Sequence, residues 1–142
     1  MSIKAQASGI IEHPVAKVFQ FHARDHVRNH HSWDPDIQLE QVTDGPMSVG
    51  TLIKRVNSRS GKPVEGTMEV VEFEPEQAVT MLIHDGPVKM IARATYEAVS
   101  EDRTRLTMKV EFPDMEEMDT DMLESAMQTS IRNIDQLLKT NI

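Results

Sequence analysis

The chain has no cysteine, which excludes disulfides, thiolate nucleophiles and cysteine metal sites and leaves packing as its source of stability. Aromatics are scarce, with four Phe, one Trp and one Tyr in 142 residues. No stretch comes near the roughly 20 continuous apolar residues of a membrane span, so no membrane span is expected. The opening Met1-Ser2-Ile3-Lys4 lacks the apolar run of a secretory leader, and the expected location is the cytoplasm. Basic residues are outnumbered, fifteen Lys and Arg against twenty-three Asp and Glu, for a formal net charge of −8. The cations are scattered rather than gathered into a stripe that follows phosphates, which argues against a nucleic-acid partner. What the chain does have is methionine, ten in all. Met is flexible and polarizable, so it suits an interior that adapts to ligands of variable shape.

The length is that of one domain, residues 1–142. Ile3, Ala5 and Ala7 alternate with Lys4, Gln6 and Ser8 over residues 3–11, the pattern of a half-buried strand. His13-Pro14 ends it, and Pro14 suits the first turn of a short helix carrying Val15, Val18, Phe19 and Phe21/His22 on one face. Asp25 reads as the N-cap of a second short helix running towards Trp33, closed by Asp34-Pro35. Six strands follow: 37–43, 51–59, 64–74, 77–84, 88–99 and 103–112. Turns such as Asp44-Gly45-Pro46 and Asp85-Gly86-Pro87 separate them, and connections this short imply antiparallel neighbours.

Alternation is cleanest in the last two strands. Val88, Met90, Ala92, Ala94 and Tyr96 oppose Lys89, Arg93 and Glu97, while Leu106, Met108, Val110 and Phe112 oppose Arg105, Thr107, Lys109 and Glu111. Asp114 with Glu117 resembles a capping box opening a final helix that reaches about Leu138. Its apolar side comprises Met122, Leu123, Ala126, Met127, Ser130, Ile134, Leu137 and Leu138. About 20 helical residues span roughly 30 Å, and one such helix covers the buried sheet face only if the sheet curves around it. The fold class is α+β: a curved six- to seven-stranded antiparallel sheet wrapped around a long C-terminal helix.

This order of elements resembles the START/Bet v 1-like (SRPBCC) helix-grip superfamily. Residues 18–37, VFQFHARDHVRNHHSWDPDI, are similar to the two-helix segment of its bacterial polyketide cyclase/dehydrase and lipid-transport branch, with an aromatic (Phe21) before a capping Asp (Asp25) and a Trp-x-Pro (Trp33-Asp34-Pro35). DGPMSVGTLIKR, EVVEFEPEQAVTM and TRLTMKVEF resemble further blocks, so the likeness spans nearly the whole chain. It implies an elongated cavity between sheet and C-terminal helix, and a ligand that is lipid-, isoprenoid- or polyketide-like. No catalytic residue carries over from it.

The site must then be argued from the lining. Met68, Met81, Met90, Met108, Met122 and Met127 point inward by alternation or helical angle, beside the small Ala92 and Ala94; Phe21, Trp33, Tyr96, Phe112 and Ser130 complete the candidate ligand-binding set. A dry void of about 300 Å³ costs roughly 7 kcal/mol, so either methionines collapse into the space or ligand or water fills it. Ser130 sits in an apolar stripe and either bonds back to the Ala126 carbonyl or meets a ligand. Tyr96 either offers its phenol to a substrate or reaches the rim as a structural residue. His22, His26 and His30 recur every four residues, but an N-cap at Asp25 breaks that series, and no metal or cofactor is expected. His30 and His31, near Trp33, are candidates for acid or base at a pocket mouth. Arg55, Arg59, Arg93 and Glu69 are read as solvated on the outer face; in a different register they project inward, where a buried Arg or Glu pair would point to function. Nucleophile, zinc-protease and phosphate-loop motifs are absent. Three readings stand: a monomer or small homo-oligomer binding a hydrophobic or aromatic small molecule, a cyclase or dehydratase using the same cavity, and a protein-interaction domain with a filled core.

Overall fold

The computed structural model describes residues 2–140. In chain order it comprises β1 (Ile3–Ile11), α1 (Val15–Phe19), a π-helical turn (Gln20–Arg24), α2 (His26–Trp33), β2 (Ile37–Gln41), β3 (Leu52–Asn57), β4 (Val64–Glu74), β5 (Ala78–Asp85), β6 (Val88–Ser100), β7 (Arg103–Phe112) and α3 (Thr120–Thr140). The seven strands form one antiparallel sheet in the order β1-β7-β6-β5-β4-β3-β2. Consecutive strands from β2 to β7 are neighbours, as the short Gly- and Pro-containing turns require, and β1 closes on β7 with Ile3 opposite Phe112 and Ile11 opposite Thr104. The expected helix-grip architecture is the one observed.

One expectation about helix ends is corrected and another is refined. The long helix does not start at an Asp114/Glu117 box: residues 113–119 are irregular, and Asp119 caps it, its Oδ1 accepting from Met122 N–H at 3.0 Å. Asp25 does stand at the N-cap position of α2, with φ −98° and ψ 26° outside the helical range, but its side chain makes no capping bond. Its own N–H donates to Gln20 O at 2.9 Å, a bond five residues long, and its carboxylate takes Gln20 Nε2 and pairs with Arg28 rather than capping α2. The π turn Gln20–Arg24 precedes Asp25 directly, and α2 follows from His26.

Helix α3 lies along β1, the edge strand, and supplies partners for its outward backbone groups. Gln6 N–H donates to Glu124 Oε2 (2.8 Å), Glu12 N–H to Asp135 Oδ1 (3.1 Å), and Gln128 Nε2 donates to Ser8 O (3.1 Å). An exposed edge that would otherwise invite another strand is thereby covered. The helix packs tightly at Gly9, where a Cβ would stand 2.9 Å from Ile131 Cγ2. Ile131, absent from the expected apolar stripe, is buried with Met127, Ile134 and Leu138, whereas Met122 is 70% exposed. The true stripe is rotated towards β1. At the far side, Asn133 Nδ2 donates to Trp33 O (3.3 Å), tying α3 to α2. Because α3 follows the edge and α2 covers the end, the concave face of β4 to β7 is left partly unfilled.

Candidate functional site

The space left between α3 and the concave sheet is an open groove of about 510 Å³. Met90, Met108, Phe112, Met127 and Ser130 contribute to its walls, with Met118 from the segment before α3, Leu123 from its first turn, and Asp34 and Arg59 as well. Arg59 Nη2 and Asp34 Oδ2 are 2.6 Å apart there. A smaller chamber of about 100 Å³ adjoins it, sharing His30, Trp33, Arg55, Ala92 and Met108 with the groove. Met68, Met81 and Tyr96 belong to the chamber. The sequence-derived lining is thus mostly brought together, with three exceptions. Met122 faces solvent. Phe21 is half-buried and packs on Trp33, ring centroids 5.6 Å apart, outside both spaces. His31 is exposed, with its Nδ1 3.4 Å from Ile37 O, and borders neither space.

The chamber owes its chemistry to the π turn and α2, which meet at Asp25. Because the π turn keeps the chain coiled, His22, His26 and His30 line up after all: ring centroids are 5.7 Å apart for the first pair and 4.8 Å for the second, with Trp33 against all three. His22 Nδ1 lies 2.6 Å from Tyr96 OH. His26 Nδ1–H donates to His22 O at 2.8 Å. Burial, reinforced by His26 beside it, lowers the pKa of His22 to about 3; burial also takes His26 to about 4, and His30 well below its ordinary value. Burial pushes the Tyr96 phenol upward. All four are therefore uncharged at neutral pH. Tyr96 stands at the inner end and not at the rim. Among the described residues no three His, Asp or Glu side chains are arranged to hold a metal ion.

Arg55 is the residue the sequence reading placed wrongly. It is 7% exposed and points into the interior, where Nε and Nη2 contact Asp85 Oδ1 and Oδ2 at 2.7 and 3.2 Å. Asn57 Nδ2 donates to the same Oδ2 at 2.9 Å, and Asp85 is itself buried. The register puts Arg55 opposite Gly66, whose Cβ, were it present, would lie 1.8 Å from His84 O. In strand β3, Ile53 and Arg55 share the inner face, so alternation from Ile53 was the available signal. Charged side chains seldom enter a core unpaired, and this one is paired. Its partner lies thirty residues away. Arg93 does face outward as expected and pairs with Glu72 at 2.9 Å, and Glu69 is exposed.

Neither a protein-family model nor a curated protein sequence matches the chain. Solved structures do. The chain superposes on Ara h 8.0201 with a TM-score of 0.79 at 18% identity, covering 99% of this chain and 100% of that one. On ginseng major latex-like protein 151 from Panax ginseng the values are 0.74, 16%, 96% and 97%. On DynU16, from the dynemicin biosynthetic locus, they are 0.70, 18% and 96%, the match spanning 47% of that longer chain. Identities this low carry the architecture and leave activity to the site itself. What the chain shares with these structures is the helix-grip fold, a curved antiparallel sheet around a long C-terminal helix.

Proposed function

We propose that this protein binds a hydrophobic or aromatic small molecule, lipid-, isoprenoid- or polyketide-like, in the space between the sheet and α3, as a cytoplasmic monomer or small homo-oligomer. The observation that carries this reading is the 510 Å³ groove continuing into a methionine- and tryptophan-walled chamber. Its volume lies within the roughly 300–1,000 Å³ of small-molecule pockets. Each 100 Å² of apolar wall a ligand covers contributes about 2.5 kcal/mol, and the methionines can reshape themselves around it. The same space weighs against a filled core serving only surface interactions. The test is direct: native mass spectrometry and solvent extraction of the purified protein, and titration with the uncharged fluorophore Nile red. Saturable binding, competed by an apolar compound, supports the reading; no co-purified compound and no probe binding would end it.

A second reading, an enzyme of cyclase or dehydratase type, is favoured by one arrangement: neutral His30 and the His22–Tyr96 hydrogen bond at the chamber. A neutral histidine can take a proton, and groove and chamber together offer a shape that can fold a reactive chain for ring closure. Turnover of a poly-β-ketone-like substrate that is lost in both His30→Ala and Tyr96→Phe, with binding retained, supports it. Activity unchanged in both variants removes these residues from the chemistry.

A further inference from the structure

The chamber holds polar atoms that a purely apolar ligand would leave unused. His26 is 7% exposed, and its Nδ1 donates to the His22 carbonyl. A carbonyl oxygen only accepts, so the proton is on Nδ1 and Nε2 of the neutral ring is a lone pair. That Nε2 is buried without a partner, as is Nδ1 of the adjacent His30. An acceptor left so costs about 1–3 kcal/mol, which a native fold tolerates most readily where something else completes the bond. His26 and Arg55 line the same chamber. Two of the three guanidinium nitrogens of Arg55 are engaged by Asp85, while Nη1 is directed to the Met68 sulfur at 3.9 Å, a weak acceptor.

The charge balance narrows what fits. Asp85 already offsets Arg55, and the histidines are neutral. A carboxylate or phosphate entering here meets the Asp85 charge nearby, and an ammonium meets Arg55. Either would be buried without a free counter-charge. An uncharged hydroxyl meets neither objection and uses both free groups, its hydrogen toward a lone pair and its oxygen toward an N–H.

We propose that the inner chamber is a hydroxyl-binding subsite, in which His26 Nε2 accepts the proton of an alcohol or phenol on the ligand and Arg55 Nη1–H donates to the same oxygen. The ligand of the cavity is then an apolar molecule bearing a neutral hydroxyl at its leading end, with the rest of its body along the methionine groove. This inference rests on the cavity being a binding site.

The experiment uses four probes built on one ring system, with the full chain: naphthalene, 1-naphthol, 1-naphthalenemethanol and 1-naphthoic acid. Affinities are measured by calorimetry, and the histidine ring nitrogens are followed by ¹⁵N NMR. At least one hydroxyl probe should bind about three- to tenfold tighter than naphthalene, the net worth of one or two such hydrogen bonds. The acid should bind less tightly than either. Preference for the naphthol assigns a phenol, and preference for the methanol an aliphatic alcohol. The His26 Nε2 resonance should move with the hydroxyl probe and not with naphthalene, and in His26→Phe the hydroxyl-to-naphthalene affinity ratio should fall to about one. Equal binding of naphthalene and both hydroxyl probes, tightest binding of the acid, or an unmoved His26 resonance would overturn the subsite while leaving the apolar pocket standing. Failure of all four probes to bind would overturn both.

Discussion

His22 Nδ1 and Tyr96 OH, seventy-four residues apart in the chain, lie 2.6 Å from each other and join the first helical region to the middle of the sheet. Both groups are buried, so the bond is made where water cannot replace it. Tyr96→Phe should cost about 1–3 kcal/mol, because it leaves a buried nitrogen unmet while changing volume little. Urea unfolding of the two proteins checks this, with a loss below about 0.5 kcal/mol counting against the bond.

The same burial predicts acid sensitivity. The native pKa values of His22 and His26, about 3 and about 4, lie below that of an unfolded histidine near 6.5. Between those limits the unfolded chain binds protons that the native one refuses. Stability is therefore full above about pH 6.5 and is lost as pH falls towards 4, at about 1.4 kcal/mol per pH unit for each group. By pH 5 the two together remove roughly 4 kcal/mol. Thermal unfolding followed from pH 7.5 to 4.5 should show this slope, and His22→Phe should flatten it.

Breaking the Arg55–Asp85 pair exposes a lone charge to the interior. Asp85→Leu alone should cost about 3–5 kcal/mol, since Arg55 and Asn57 both lose their acceptor. The double variant Arg55→Met/Asp85→Leu should recover much of that loss, because two apolar side chains need no counter-charge. A double-mutant cycle by chemical denaturation measures it; additive losses would show that the pair is not coupled.

Gly9 sets how closely α3 grips β1. Gly9→Ala should destabilise by about 1–3 kcal/mol through its contact with Ile131, and Ile131→Ala in that background should relieve part of the loss despite removing a buried side chain. Equal destabilisation with and without Ile131 would place the strain elsewhere.

Ala92 borders both the groove and the chamber. Ala92→Phe should fill the passage between them, leave the melting temperature unchanged or raised, and weaken Nile red binding at least tenfold. Unaltered probe binding would mean that the dye sits elsewhere.

Much of the architecture was legible because it depends on local periodicity. Alternation placed Ala5 and Ala7 of β1 and Tyr96 of β6 on the inner face, and β4 and β7 were bounded to the residue by their turns. Helix ends were less legible: an Asp can cap any helix that begins near it, and only the course of the backbone selected Asp119 over Asp114.

By itself, the sequence determined an antiparallel sheet with an inward methionine face and one long amphipathic helix, because side-chain alternation and helical spacing are properties of a few adjacent residues. The tertiary structure alone decided the chemistry of the interior. Whether Arg55 is buried depends on Asp85 across the sheet, whether three histidines align depends on the π turn ahead of α2, and whether a cavity remains depends on α3 lying along β1 rather than over the sheet centre. Those are non-local balances of charge, hydrogen bonding and packing, and no local pattern of residues encodes them.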